Sequence, residues 1–150
     1  MIDIPLQSVK DKLQSKAIDG VIYLYDIVRK DYVVLQPEEL VRQMLCLYLI
    51  EEKGYPLSRF QLERGVLTND KRGRYDIIIY DKAVKPWMLI ECKSHKVNLS
   101  QAVVDQLGGY NRTINAPYLM VSNGLQTICY RSETTDVVYE QLVELPAYPS

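Results

Sequence analysis

The sequence predicts a single mixed α/β domain, and three observations carry that prediction. Stretches rich in β-branched and aromatic residues alternate with two helix-like stretches, in the order strand, helix, strands, helix, strand. At 150 residues and 47% hydrophobic, the chain has enough apolar material for one substantial core. Asn123-Gly124 lies between two apolar runs, which is the strongest short hairpin pattern.

Taken in order, residues 1–20 place Leu6, Val9 and Leu13 among polar and basic residues and stop at Gly20, as either a loose arm or a short amphipathic helix. A domain over 21–145 follows, and 146–150 is expected to fray. Val21 to Arg29 and Tyr32 to Leu35 form a hairpin split at Lys30-Asp31. Gln36-Pro37-Glu38-Glu39 opens a helix, with proline near the first position and acids in the first turn, where the helix dipole favours them. Leu40, Val41, Met44, Leu45, Leu47, Tyr48 and Leu49 make that helix apolar around most of its circumference, and Gly54 ends it. Arg59 to Glu63 reads as a strand and Asn69 to Gly73 as a turn. Asn98-Leu99-Ser100 supplies capping chemistry for a second helix reaching about Ile114. Within it Gly108-Gly109 weakens helix propensity by about 1 kcal/mol per glycine and leaves room for a close approach by backbone or ligand. Pro117 to Ser122 and Gln126 to Arg131 flank the Asn123-Gly124 turn, and Val137 to Tyr139 forms a short edge strand.

Composition narrows the function classes. Cys46, Cys92 and Cys129 are odd in number and lack metal-ligand spacing, so neither a disulfide framework nor a structural zinc is expected, and a reducing cytoplasm is the natural setting. No apolar run approaches a membrane span and the first residues lack the build of a signal peptide. A net charge of -1 argues against avid, sequence-blind nucleic-acid binding. Basic residues are nevertheless concentrated in two places: Lys71, Arg72 and Arg74 precede Asp76, and Lys93, His95 and Lys96 follow Glu91.

Those two places meet in a hairpin formed by Arg74 to Tyr80 and Trp87 to Lys93. With a four-residue loop, Lys82 to Lys85, facing residues pair as Tyr80 with Trp87, Ile78 with Leu89 and Asp76 with Glu91. The two-residue period puts Lys93 on the face of Glu91. Two carboxylates about 5 Å apart repel by roughly 3 kcal/mol at an effective dielectric of about 20, more than a favourable cross-strand pair contributes. Lys93 offsets part of that repulsion, and a divalent cation shared by both carboxylates would offset more.

Asp76 followed after a hairpin by Glu91-Cys92-Lys93 resembles the PD-(D/E)XK nuclease superfamily. A wider set of segments resembles the N-terminal nuclease-like domain of type I restriction enzyme R subunits: Val34 to Gln43, Lys53 to Pro56, Arg74-Tyr75-Asp76, Leu89 to Ser94, Gln106 with Tyr110-Asn111, and Val121 to Gly124. Tyr75 stands where the nominal motif has proline, and the chain carries no helicase motor.

The resemblance implies a restriction-endonuclease-like fold with a mixed central sheet flanked by helices, and a metal-dependent phosphodiesterase acting on DNA in restriction or defence. It implies Mg²⁺, with Mn²⁺ as substitute, held by Asp76, Glu91 and the Cys92 backbone carbonyl. A glutamate at the head of the first helix completes the site; Glu38 is favoured because it shares a stripe with Val41 and Leu45, with Glu39 as the alternative. Lys93 would orient the attacking water and stabilise developing charge, and Gln106 would serve the chemistry by positioning a phosphate or water. Arg74, Tyr110, Lys71, Arg72 and Lys96 would bind substrate. Glu63 is a further acid within reach of the site, and it reads better as facing solvent. The competing implication is a catalytically silent nucleic-acid-binding or regulatory module that keeps the fold and takes specificity from a protein partner or from self-association.

Overall fold

The computed structural model describes residues 1–62, 76–132 and 139–150. Glu63, the turn expected at Asn69 to Gly73, and the basic residues Lys71, Arg72 and Arg74 fall outside them, as does Val137.

The described strands form two sheets. A three-stranded antiparallel sheet contains β1 (Ser15–Ile18), β2 (Val21–Asp26) and β3 (Asp31–Val34). A six-stranded sheet runs in the order β4 (Phe60–Leu62), β5 (Ile77–Tyr80), β6 (Pro86–Cys92), β7 (Tyr118–Ser122), β8 (Thr127–Ser132) and β9 (Tyr139–Gln141). Its ladders are antiparallel except for β6 with β7, which pair in parallel and are joined through helix α2 (Gln101–Ile114). A parallel pair needs such a crossover, so one helix necessarily lies against the sheet at this point. The mixed α/β architecture is the one expected.

Side-chain alternation divides the core. Ile77, Ile79, Met88, Ile90, Cys92 and Met120 face α1 (Pro37–Leu47), where they meet Val41, Met44, Leu45 and Cys46. Ile78, Leu89, Leu119 and Val121 face α2 and meet Val104 and Leu107. Central strands buried on both faces explain why β5 and β6 read as nearly unbroken apolar runs. Past Leu47, a π-helical turn spans Tyr48–Glu52, and the chain reverses at Gly54, whose φ of 71° suits glycine.

Four details depart from the sequence-based expectations. The hairpin loop is one residue shorter than four: Asp81 N–H donates to Lys85 O at 2.8 Å, and a bulge between Ile79 and Tyr80 pairs Tyr80 with Pro86 instead of Trp87. Proline has no N–H for the ladder, so the irregularity falls beside it. Second, the unit does not begin at Val21, because Ile18 pairs with Val21 across Asp19-Gly20 and β1 belongs to the same sheet as β2. Third, of the two alternatives for residues 1–20 the loose arm is the one that fails: a short helix forms, 3₁₀ over Leu6–Lys12, burying Leu6 and Val9, and Ile2 N–H donates to Thr127 O. Fourth, the tail is anchored. Tyr148 O–H donates to Tyr80 O at 2.7 Å, Tyr55 O–H donates to Pro146 O, and the Tyr148 ring lies 5.2 Å from Trp87.

Candidate active site

The end of β6 and the start of β5 bring Glu91, Lys93 and Asp76 together, and the head of α1 reaches Asp76 through Arg42. Ile77 to Ile79 keep the expected register with Ile90 to Met88, and Asp76 N–H extends the pairing by donating to Ile90 O at 2.9 Å. Asp76 and Glu91 are both buried, at 6% and 8% exposure, which is costly for carboxylates without partners.

Asp76 is well partnered. Its Oδ2 accepts from the Cys92 backbone N–H at 2.5 Å and its Oδ1 accepts from Arg42 Nη2 at 2.8 Å. The same guanidinium donates through Nη1 to Glu39 and lies 3.6 Å from Glu38 Oε1. Burial works against the charge of Arg42, yet Asp76 and then Glu39 outweigh it and hold the group more firmly protonated than usual. Arg42 went unremarked as a functional candidate. The available signal was the Glu38-Glu39-x-x-Arg42 spacing, which sets ion pairs at i+3 and i+4 along one helix side.

Glu91 is less satisfied. Its Oε1 lies 3.1 Å from Lys93 Nζ, while Oε2 is buried with no hydrogen-bond partner among the described residues. Burial, reinforced by Asp76, raises its pKa to about 8, against the opposing pull of Lys93. Burial also opposes the charge of Lys93, but Glu91 more than compensates and raises it, so Lys93 acts here as a cation and not as a proton acceptor.

The choice between the two glutamates at the head of α1 now has a geometric answer. Glu39 is committed to Arg42 and also accepts from Gln43 Nε2 at 2.9 Å. Glu38 keeps its side chain 47% exposed; burial and Asp76 raise its pKa, and Arg42 and Lys93 oppose them. It is the more exposed of the two acids. Its place in the stripe of Val41 and Leu45 does not bury it: Glu38 is 47% exposed where Glu39, one residue on, is 13%.

Other predicted contacts are more peripheral. Gln106 is exposed on α2, and among the described residues no hydrogen bond ties it to Asp76, Glu91 or Lys93. Tyr110 is half-buried on the same helix, and Lys96 is exposed in the loop after Lys93. Asn111 is structural: it donates to Ala116 O and accepts from Ala116 N–H, fixing the passage from α2 into β7. Asn123 similarly ties the β7–β8 turn to the loop after Lys93 by donating to Val97 O at 2.8 Å. The turn needs Gly124, whose φ is 87° and where an added Cβ would meet Val41 at 3.1 Å.

Among the described residues, four carboxyl groups (Glu38, Glu39, Asp76 and Glu91) share two cations (Arg42 and Lys93). Arg42 therefore supplies much of the compensation that the repulsion argument assigned to a metal. No group of three His, Cys, Asp or Glu side chains among these residues is arranged to cage an ion. The donor chemistry still fits Mg²⁺, which keeps most of its waters and takes one or two carboxylates. The buried, unbonded Glu91 Oε2 beside Asp76 is the observation that meets this requirement.

A mixed sheet with acids and a lysine at the strand ends defines an α/β domain built around an anionic, lysine-bearing site. The chain belongs to the type I restriction enzyme R protein N terminus (HSDR_N) family, whose match spans residues 37–146 and so includes α1, both central strands and α2. Comparison with individually curated proteins yields no match. No helix among the described residues is long and apolar enough to cross a membrane.

Proposed function

We propose that this domain is a metal-dependent phosphodiesterase acting on DNA in a restriction or defence setting, built on the PD-(D/E)XK plan. Family membership supports the setting. The observation that carries the chemistry is the unsatisfied Glu91 oxygen buried beside Asp76, with Lys93 3.1 Å from the other Glu91 oxygen.

Asp76 and Glu91 would hold Mg²⁺ or Mn²⁺, with the Cys92 carbonyl and Glu38 as further oxygen donors. Such an ion supplies Lewis-acid polarisation of a phosphate and a more acidic bound water. Lys93, kept protonated by Glu91, orients the attacking water and stabilises negative charge as it builds on the phosphate oxygens. Arg42 holds Asp76 in one orientation from below. Glu38, its side chain 47% exposed, would complete the metal shell directly or through a bound water. Lys96 and Tyr110 meet the nucleic-acid backbone beyond the site. Gln106, exposed on α2, would position a phosphate or water, as the resemblance implies. Arg74, Lys71 and Arg72, which lie outside the described residues, would be further substrate contacts, as the resemblance implies.

The test is nicking of supercoiled plasmid with Mg²⁺ or Mn²⁺ by wild type, Asp76→Ala and Lys93→Ala. Cleavage by wild type alone supports the reading; equal cleavage by all three would expose a contaminant and remove it. One observation favours a second reading, a catalytically silent module: both Asp76 oxygens are already engaged, by Arg42 and by the Cys92 N–H. Metal-independent DNA binding without cleavage by any of the three would establish that alternative.

A further inference from the structure

Among the described residues, nothing packed against the two glycines inside α2 requires a glycine there: a Cβ built on Gly108 would meet Tyr139 Cε2 at an ordinary 3.8 Å, and one built on Gly109 would meet no described atom within 4 Å. Each glycine nevertheless costs its helix about 1 kcal/mol relative to alanine. Both line an open cleft of about 380 Å³ between α2 and the outer strands β8 and β9.

The walls of this cleft have a definite chemistry. Tyr130 and Tyr139 form an edge-on ring pair with centroids 6.4 Å apart. Along α2 the wall runs from Gln101 and Asp105 to Arg112. Gln101 Nε2 donates to Asp105 Oδ1 at 2.9 Å, which holds that carboxylate in place. Arg112 is exposed and has no hydrogen bond or ion pair among the described residues. Seven residues separate Asp105 from Arg112, about 10 Å along a helix axis. A cation at one end, a hydrogen-bond acceptor at the other and aromatic rings between them match the parts of a nucleotide: phosphate, amino-bearing base edge and base face. The volume is that of a small-ligand site and too small for a partner helix.

We infer that the cleft between α2 and β8–β9 binds one nucleotide unit of single-stranded nucleic acid, with the base against Tyr130 and Tyr139 and the phosphate at Arg112. This deepens the reading of the domain as one that acts on nucleic acid, on which it rests. Tyr130 and Tyr139 pack into the same core as Ile78 and Leu89, so the cleft lies on the sheet face that carries α2. Alternation places Glu91 and Lys93 on that face too, at its far end. A strand held in the cleft would be displaced from the acidic site by the width of α2, as an anchoring contact outside the reaction.

The test uses the whole chain in EDTA, which keeps it independent of cleavage. Binding of a fluorescein-labelled five-nucleotide deoxyadenosine oligomer is followed by anisotropy for wild type, Arg112→Ala, Tyr139→Ala, Gly109→Leu and Lys82→Ala, an exposed lysine in the β5–β6 turn. Stacking and phosphate contacts of ordinary strength predict that the first three variants each weaken binding at least tenfold. Lys82→Ala is expected to bind within about twofold of wild type. Gly109→Leu is also expected to melt no lower than wild type, since it replaces a glycine in open space, so its loss of binding cannot be ascribed to unfolding. Equal binding by wild type and Gly109→Leu, or no binding by wild type, overturns the inference. Failure of the plasmid assay alongside the predicted oligomer pattern would overturn only the catalytic reading. If the oligomer does not bind and a protein partner instead protects Gly109 from exchange, the cleft is a protein contact and the inference fails.

Discussion

Arg42 Nη2 donates to Asp76 Oδ1 at 2.8 Å, joining the head of α1 to the entrance of β5 across a sequence separation of 34 residues. This bond makes the acidic site compatible with a folded, metal-free protein. Arg42→Met would leave Asp76 and Glu39 buried without their counter-charge, and breaking such a pair from one side costs about 3–5 kcal/mol. Arg42→Met with Asp76→Asn should recover part of that loss. Urea unfolding of the four corners of this cycle measures the coupling; strictly additive losses would show that the two side chains do not support each other.

Glu91 makes stability depend on pH. Its folded pKa, about 8, lies above the ordinary carboxyl value, so the folded state prefers the protonated form. The resulting stabilisation is complete below the unfolded pKa and is lost as pH rises through about 8. In metal-free buffer the Tm of wild type should fall across pH 5 to 8, and Glu91→Gln should flatten that slope. A slope unchanged by Glu91→Gln would show that another group titrates.

The same proton opposes metal binding, because a cation must displace it. Mn²⁺ affinity should rise by up to about tenfold per pH unit between pH 6 and 8, and level off above. Titration calorimetry at several pH values reads this directly. An affinity independent of pH would place the ion on carboxylates other than Glu91.

Val84 closes the β5–β6 turn at a φ of 60°, a conformation that a β-branched residue rarely tolerates, and it is 65% exposed. Val84→Asn should therefore stabilise the domain by roughly 0.5–1 kcal/mol. Chemical denaturation with no change in m-value is the expected readout, and destabilisation would mean that Val84 has a contact its exposure conceals.

The anchored tail is tested through Trp87, the chain's only tryptophan. Removing residues 146–150 uncovers it by deleting Tyr148. Its emission should shift to the red and stability should fall by about 2 kcal/mol. Tyr148→Phe, which loses only the hydrogen bond to Tyr80 O, should cost about 1 kcal/mol.

Local chemistry explains how much of the architecture was readable beforehand. Pro37, the acids behind it and the apolar stripe of α1, the alternation in β2 and β3, and Asn123-Gly124 each act within a few residues of themselves, so the sequence alone determined these elements. It also determined that Asp76, Glu91 and Lys93 would converge, because a two-residue period and a short hairpin leave no other face for them. Where the hairpin went wrong, at Tyr80, the fault was one bulge next to Pro86.

Only the tertiary structure decided the counter-charge. Sequence spacing shows that Glu91 and Asp76 repel, but not whether a metal or a side chain from another layer answers them, since that depends on how α1 lies over the sheet. The docking of α1 delivered Arg42 to Asp76, committed Glu39, and left Glu38 half-exposed. The anchoring of Tyr148 and the cleft that Gly108 and Gly109 line with Tyr130 and Tyr139 were settled in the same way, by contacts between segments far apart in the chain whose partners no local pattern specifies.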